Sequence, residues 1–360
     1  MAKFFPDEIL ENILCRLPVK SLLRLRCVSK SWLSLISSPR FVKLHMNVQT
    51  KSNLSLYMID ALVLSRWNLY SLNHFFGPPA EFFSHPLWCH HTIHNWGSCD
   101  GLICLSNALD DIVCLWNPST KKSINLPYSS TTLTRNDARS YGFYYDITND
   151  DYRVVRITFF VGEIVDYEIN VYSLRSNSWH MSSEKFNHGP NFNSKEAIAC
   201  GALHWMSGNL KEEIWIVAFD LVTEKYRVIS QPEYSGPPYL ISLYNFEGCL
   251  SLSCHYYSNV VVVDVWLLNE YGEKNEYWSK LVSLPLTPTD PLWESSNFSA
   301  KPVAYSKCGK KVLLEIDCRK LVWYNLEQES VEDIEDSMML QDLEHFIQIY
   351  TYSESLVSVS

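Results

Sequence analysis

A chain of 360 residues with 47% hydrophobic content, including 16 Phe, 12 Trp and 21 Tyr, can bury a sizeable core, which excludes disorder and allows one large domain plus a small one. The formal charge of −10 is unevenly placed: residues 1–50 hold eight Lys/Arg against Asp7, Glu8 and Glu11, a balance of +5, and the rest carries −15. An acidic body without Lys/Arg runs lacks the charge term on which nucleic-acid affinity mostly depends, so no nucleic-acid partner is expected.

From residue 5 to 17 the apolar side chains Ile9, Leu10, Ile13, Leu14 and Leu17 share one helical face. Pro6 fits the first turn, Asp7 and Glu8 favour the positive helix end, and Pro18 closes the helix. A second pattern runs through Leu22, Leu25, Val28, Trp32, Leu35 and Ile36, split into two short helices. Ser38 then reads as an N-cap before Phe41 and Leu44. Residues 1–46 thus form three or four short helices, and the stretch Leu17–Pro39 carries Arg24, Arg26 and Lys30 with no acid. Helices this short bury too little area to offset their ordering entropy, so the unit is expected to dock on something.

Beyond residue 50 the pattern changes to short strands, and one phrase returns: Leu69-Tyr-Ser-Leu72, Leu115-Trp-Asn-Pro118, Val171-Tyr-Ser-Leu174, Ala218-Phe-Asp-Leu221, Trp266-Leu-Leu268 and Trp323-Tyr-Asn-Leu326. After four of them a second strand returns across a tight turn such as Asn117-Pro-Ser-Thr120, with proline at its second position. Upstream lie further strand pairs, for example Gly101–Leu105 before Ile112–Trp116 and Gly201–Trp205 before Glu213–Phe219. Four strands in about 50 residues is the period of a propeller blade, so an all-β propeller of about six four-stranded blades is expected over residues 50–360, after a small all-α domain at 1–46. The stretch Phe346–Val359 has no downstream partner, and pairing it with the first unit would close the ring and hide the sheet edges.

Other chemistries leave weaker marks. The longest apolar run, Val260–Leu268, contains Asp264 and is far shorter than the ~20 residues of a membrane helix, so no membrane partner is expected. Asp7 and Glu8 come too early for a secretory signal, and eleven cysteines without a Cys-x-x-Cys pair suit a reducing compartment, giving a cytoplasmic or nuclear expectation. A helix-turn-helix using Arg24, Arg26 and Lys30 is one rival reading. A metal cluster of Cys89, His90, His91, His94 and Cys99 is another, though paired ligands at regular spacing are missing and an inter-blade loop fits better. With neither nucleophile elbow nor phosphate-cradling loop, no catalytic residue, cofactor or metal is assigned, although side chains from several blades could still build an enzyme site. The acids of Glu327–Asp336 read as a solvated turn before a recruiting patch.

Phe5-Pro-Asp-Glu-Ile-Leu10, Leu17-Pro-Val-Lys-Ser-Leu-Leu23 and Cys27-Val-Ser-Lys-Ser-Trp32 resemble the F-box consensus, with Phe5-Pro6 where many F-boxes have Leu-Pro. Downstream, Ser98-Cys-Asp-Gly-Leu-Ile-Cys104, Trp116-Asn-Pro-Ser-Thr120, Tyr152-Arg-Val-Val155, Gly201-Ala-Leu-His-Trp205 and Tyr352-Ser-Glu-Ser-Leu356 are similar to the F-box-associated, kelch-like propeller region of plant F-box proteins. The resemblance spans nearly the whole chain. It implies a non-catalytic ubiquitin-ligase subunit whose F-box docks on a Skp-family adaptor, joined to cullin and RING subunits, while the propeller binds the protein to be ubiquitinated. Some relatives act at the self-incompatibility locus on pistil ribonucleases. Carried over, the docking residues are Phe5, Pro6, Ile9, Leu10, Ile13, Leu17, Pro18, Leu22, Leu23, Val28, Lys30 and Trp32, with packing the first reading for Trp32. Since loops on rigid scaffolds carry recognition, Leu126–Arg139, His180–Lys195, Gln231–Tyr239 and Pro285–Ala300 are the expected substrate contacts.

Overall fold

Proline and serine set the helix starts in the computed structural model, which describes residues 6–49, 54–60, 67–71, 81–83, 86–87, 93–107, 112–128, 138–160, 166–184, 196–208, 214–256, 261–286, 299–317, 320–334 and 347–359. Helix α1 (Asp7–Leu14) begins after Pro6 and α2 (Val19–Leu25) after Pro18, each proline holding the extended conformation of an N-cap rather than entering the first turn. The expected continuation of α1 to Leu17 stops three residues short. Pro18 disfavours helical backbone in the residue before it, and Cys15–Leu17 form a turn instead. Helix α3 (Lys30–Ile36) is capped by Ser29, whose Oγ accepts from Trp32 N at 3.2 Å, and α4 (Pro39–Gln49) by Ser38, whose Oγ accepts from Phe41 N at 3.2 Å. None of the described helices is long and apolar enough to cross a membrane.

Six four-stranded antiparallel sheets follow among the described residues. The first contains β1 (Leu54–Asp60), β2 (Trp67–Ser71) and β3 (Glu81–Phe83); the second β4 (Ile93–Cys99), β5 (Leu102–Asn107), β6 (Ile112–Asn117) and β7 (Lys122–Asn125). The third holds β8 (Ala138–Asp146), β9 (Asp151–Phe160), β10 (Asp166–Ser173) and β11 (Ser178–Met181); the fourth β12 (Ala197–Ala199), β13 (Ala202–Ser207), β14 (Trp215–Asp220) and β15 (Tyr226–Ile229). The fifth holds β16 (Pro238–Phe246), β17 (Cys249–Tyr256), β18 (Val261–Asn269) and β19 (Tyr277–Leu286); the sixth β20 (Ala300–Tyr305), β21 (Lys311–Ile316), β22 (Lys320–Asn325) and β23 (Ser330–Asp333). Finally β24 (Ile347–Ser353) takes first place in the first sheet, in the order β24-β1-β2-β3. This is the β-propeller expected from the repeats, with the last strand completing the first blade.

The recurring phrase falls in the third strand of every blade. Its polar residue ends the strand and caps the next turn: Asn117 Oδ1 accepts from Ser119 N at 2.9 Å, Ser173 Oγ from Ser176 N at 3.1 Å, Asp220 Oδ1 from Thr223 N at 2.6 Å and Asn325 Oδ1 from Glu327 N at 3.0 Å. The fourth loop residue is left-handed in each case, with φ of 59° at Lys121, 51° at Asn177, 55° at Glu224 and 50° at Glu329. The phrase's closing leucine turns its amide back onto the preceding hairpin, Leu174 N to Tyr152 O, Leu221 N to Gly201 O and Leu326 N to Lys310 O. Trp266-Leu-Leu268 departs from this, because β18 runs on to Asn269 before its turn.

The chain divides into two compact units, residues 1–128 with 350–360 and residues 129–349. Within the second, β8 lies beside β12, β12 beside β16 and β16 beside β20, so first strands of successive blades adjoin. Alternation along β14 shows how the sheets are glued: Val217 and Phe219 pack with Val155, Ile157 and Val171 of the third blade, while Ile216 and Ala218 pack with Leu252 and Trp266 of the fifth. A strand buried on both faces reads as a continuous apolar run, as Trp-Ile-Val-Ala-Phe does.

Candidate functional site

The helical segment is apolar on two sides. Inward, Leu14, Cys15, Val19, Leu22, Ile36 and Phe41 are buried together, all at 2% exposure or less. Outward, Ile9 is 47% exposed and Ile13 52%, one turn apart on α1; Val28, between α2 and α3, is 60% exposed and Leu33 47%. Arg16, Lys20, Arg24 and Lys30 are exposed alongside, and Arg40 meets Glu11 at 3.3 Å in a surface pair that adds little stability. Ile9 and Ile13, a turn apart on α1, thus leave apolar surface in water on a segment that also exposes Arg16, Lys20, Arg24 and Lys30.

The docking residues drawn from the motif separate accordingly. Pro6, Ile9, Ile13, Pro18, Val28 and Lys30 are open to solvent. Leu10, Leu17, Leu23 and Trp32 are half-buried and pack against the core, which for Trp32 agrees with the packing reading. Leu22 needs correction: it is 0% exposed, facing the other helices, and its role is to hold them together. Phe5 lies outside the described residues.

Two contributors escape sequence reasoning. His45 of α4 is buried, stacks on Phe41 and donates from Nε2 to the Leu17 carbonyl at 2.9 Å, pinning α4 to the turn between α1 and α2. Burial lowers its pKa, the carbonyl offsetting this in part, so the ring is neutral. Leu356, more than 300 residues away in sequence, completes the helical core at 3% exposure. Neither carries a local signal, since a histidine and a leucine in apolar stretches are ordinary core residues.

On the propeller, the four expected contact loops all join the last strand of one blade to the first of the next. Three of them lie largely outside the described residues. The fourth, Gln231–Tyr239, is anchored from within: Ser235 Oγ donates to Asp264 Oδ2 at 3.0 Å, and Lys280 Nζ reaches both Ser235 Oγ at 3.0 Å and Asp264 Oδ2 at 2.7 Å. Tyr234 stands edge-on to Tyr256. Gln231, Glu233 and Pro237 remain exposed on this braced loop.

The rival motifs resolve in part. Cys89, His90 and His91 lie outside the described residues, while His94 of the same motif sits against the Trp96 ring at 5.7 Å. Among the described residues no group of three His, Cys, Asp or Glu side chains is placed to hold a metal. In the acidic run Glu327 pairs with Lys310 at 2.9 Å, Glu332 pairs with Lys311, and Glu329 supplies the left-handed turn position, so these acids serve the hairpin.

Comparison with known proteins agrees with this architecture. Residues 5–44 match the F-box domain model and residues 81–355 the F-box associated beta propeller domain model. The F-box protein CPR1 of Arabidopsis thaliana is 32% identical over 91% of this chain and 84% of its own length. The F-box/kelch-repeat protein At3g23880 of the same plant is 33% identical over 81% of this chain and 82% of its own. Helical segment, repeated blades, domain models and relatives matched over most of their length converge: the chain belongs to the F-box proteins that carry an F-box-associated β-propeller.

Proposed function

We propose that this chain is the substrate-recognition subunit of an SCF-type ubiquitin ligase. The observation that carries the reading is the outward set Ile9 and Ile13 of α1 and Val28 between α2 and α3, exposed by 47%, 52% and 60% outside the buried core of the helices, with exposed basic side chains on the same segment. A Skp-family adaptor covers these side chains and connects the chain to cullin and RING subunits. The chain itself transfers nothing. Its propeller holds a substrate protein so that lysines of that protein stay within reach of the ubiquitin-charged enzyme brought by the other subunits.

The −15 balance beyond residue 50 favours a substrate with a basic surface, and a self-incompatibility ribonuclease is one protein of that kind. Recognition falls to the inter-blade loops, of which Gln231–Tyr239 is held ready by Asp264 and Lys280. Work in the cytoplasm or nucleus fits free thiols such as Cys27 and Cys308, both exposed. The test is co-purification. Ile9→Asp combined with Ile13→Asp is expected to abolish adaptor capture while circular dichroism and thermal unfolding stay near wild type, whereas full capture by that folded variant overturns the proposal.

A further inference from the structure

We infer that residues 353–359 are part of the helical module: they form a clasp that completes the F-box core and ties it to the second blade. After Ser353 the chain leaves β24 and runs without regular structure, yet Ser355, Leu356, Val357 and Val359 are 1%, 3%, 6% and 3% exposed. Irregular backbone at that depth needs partners for its polar groups. Asn117, itself 0% exposed at the end of β6, supplies them: its Nδ2 donates to Ser355 O at 3.2 Å and to Val357 O at 2.8 Å.

The same amide works in two directions. While Nδ2 holds the clasp, Oδ1 accepts from Ser119 N and Thr120 N, shaping the turn that follows. Nearby, Ser119 Oγ and Tyr352 Oη are 2.6 Å apart, and Ser98 Oγ donates to Thr351 O at 2.6 Å. Gly101 fits because it has no side chain: a Cβ there would lie 2.4 Å from Ser355 Oγ and 2.5 Å from Ser353 O. With both faces of the segment engaged, Leu356 enters a cluster holding Leu14 of α1, Leu22 of α2, Ile36 of α3 and Phe41 of α4. A small helical unit short of core gains its missing side chain from the far end of the fold.

The consequence is that the adaptor-docking helices are ordered only when the propeller's last strand is in place. The experiment is hydrogen exchange on the full chain, on Leu356→Ala, on Leu356→Met and on Asn117→Asp, with adaptor capture as a second readout. Leu356→Ala is expected to speed exchange in α1 and α4 about 30-fold, in line with the cavity left by a buried leucine, with β13 and β17 unchanged. Leu356→Met should stay near wild type. Asn117→Asp is isosteric and keeps the turn acceptor, but it turns the donor toward two carbonyls into a charge, and should speed helix exchange tenfold or more. Unchanged helix exchange in both Leu356→Ala and Asn117→Asp overturns the inference. Adaptor capture, which rests on the proposed function, should fall with helix protection; a wild-type chain that captures no adaptor defeats that function, while the exchange data still decide the clasp.

Discussion

His45 Nε2 and the Leu17 carbonyl lie 2.9 Å apart, joining α4 to the turn between α1 and α2 through a ring that is 1% exposed. The bond requires a proton on Nε2, and the other ring nitrogen has no partner, so a second proton would be buried without compensation. Since folding lowers the pKa below its ordinary 6.5, the unfolded chain takes up the proton first as pH falls. The stabilisation is complete above pH 6.5 and is lost progressively below it. Amide exchange of α1 and α4 should therefore accelerate between pH 6.5 and 5 after correction for the intrinsic rate, and His45→Gln should flatten that dependence.

The propeller has its own acid-labile residues. His204 is 0% exposed between the Ala197 carbonyl, 3.2 Å from Nδ1, and the Tyr271 hydroxyl, 2.9 Å from Nε2, and burial brings its pKa down to about 4, with Arg227 lowering it further and Glu276 opposing. His255, also 0% exposed, is held at about 4 by burial alone. Both are neutral in the fold and protonate first in the unfolded chain, so stability is full above pH 6.5 and falls on the way to pH 4, by on the order of 3 kcal/mol per imidazole. Urea unfolding at pH 7 and pH 4.5 followed by tryptophan fluorescence measures the difference. Equal midpoints would contradict it.

Arg227 of β15 tests how the fourth blade is joined to the turn between β18 and β19 of the fifth. Its guanidinium reaches both carboxylate oxygens of Glu276, at 3.0 and 2.7 Å, and lies 4.3 Å from the Tyr271 ring centroid. Arg227→Lys keeps the charge but loses the fork and the planar stacking. Because the arginine is partly exposed, the expected cost is only about 1 kcal/mol, read as a lower urea midpoint with unchanged slope.

Lys121 offers a change in the other direction. It is exposed and sits at φ 59° in the turn between β6 and β7, where a side chain is strained and glycine is not. Lys121→Gly should raise stability by about 0.5–1 kcal/mol. Gly101→Ala, at φ 77° against the Ser353 and Ser355 backbone and side chain, should lower it by about 1–3 kcal/mol. Thermal unfolding of the pair in parallel gives both signs.

These turns also show what the amino-acid pattern conveys. The second, third, fourth and sixth blades impose the same demands at the end of the third strand, a largely buried pair of side chains and then an acceptor for the turn amides, so the phrase repeats and the blades can be counted. The helix caps at Ser38 and the break at Pro18 are legible for the same local reason. Leu22 and Ile13 are not separable this way: both are apolar at helical spacing, and only the packing of four helices decides which one faces in. Leu356 and Asn117 are further still from local reach: Leu356 packs with helices more than 300 residues earlier, and Asn117 bonds Ser355 and Val357 across 238 and 240 residues.

Asp264 links blade packing to the loop for which recognition is proposed. It is 0% exposed and accepts from Ser283 Oγ at 2.7 Å and Ser235 Oγ at 3.0 Å while pairing with Lys280 at 2.7 Å, so one carboxylate fixes β18, β19 and the loop Gln231–Tyr239 together. Asp264→Ala would strand the Lys280 ammonium beside the Trp266 ring, 4.9 Å from its centroid, with two serine donors unpaired. Removing one member of such a set costs about 3–5 kcal/mol when fully buried, and less here because Lys280 is partly exposed. Limited proteolysis should then cut within residues 231–239 before any other described loop of the fifth blade. On the proposed function, substrate affinity should drop while adaptor capture, which that reading assigns to the helices, holds. A variant that resists proteolysis as the wild type does would show that the loop is ordered by the Tyr234–Tyr256 contact instead.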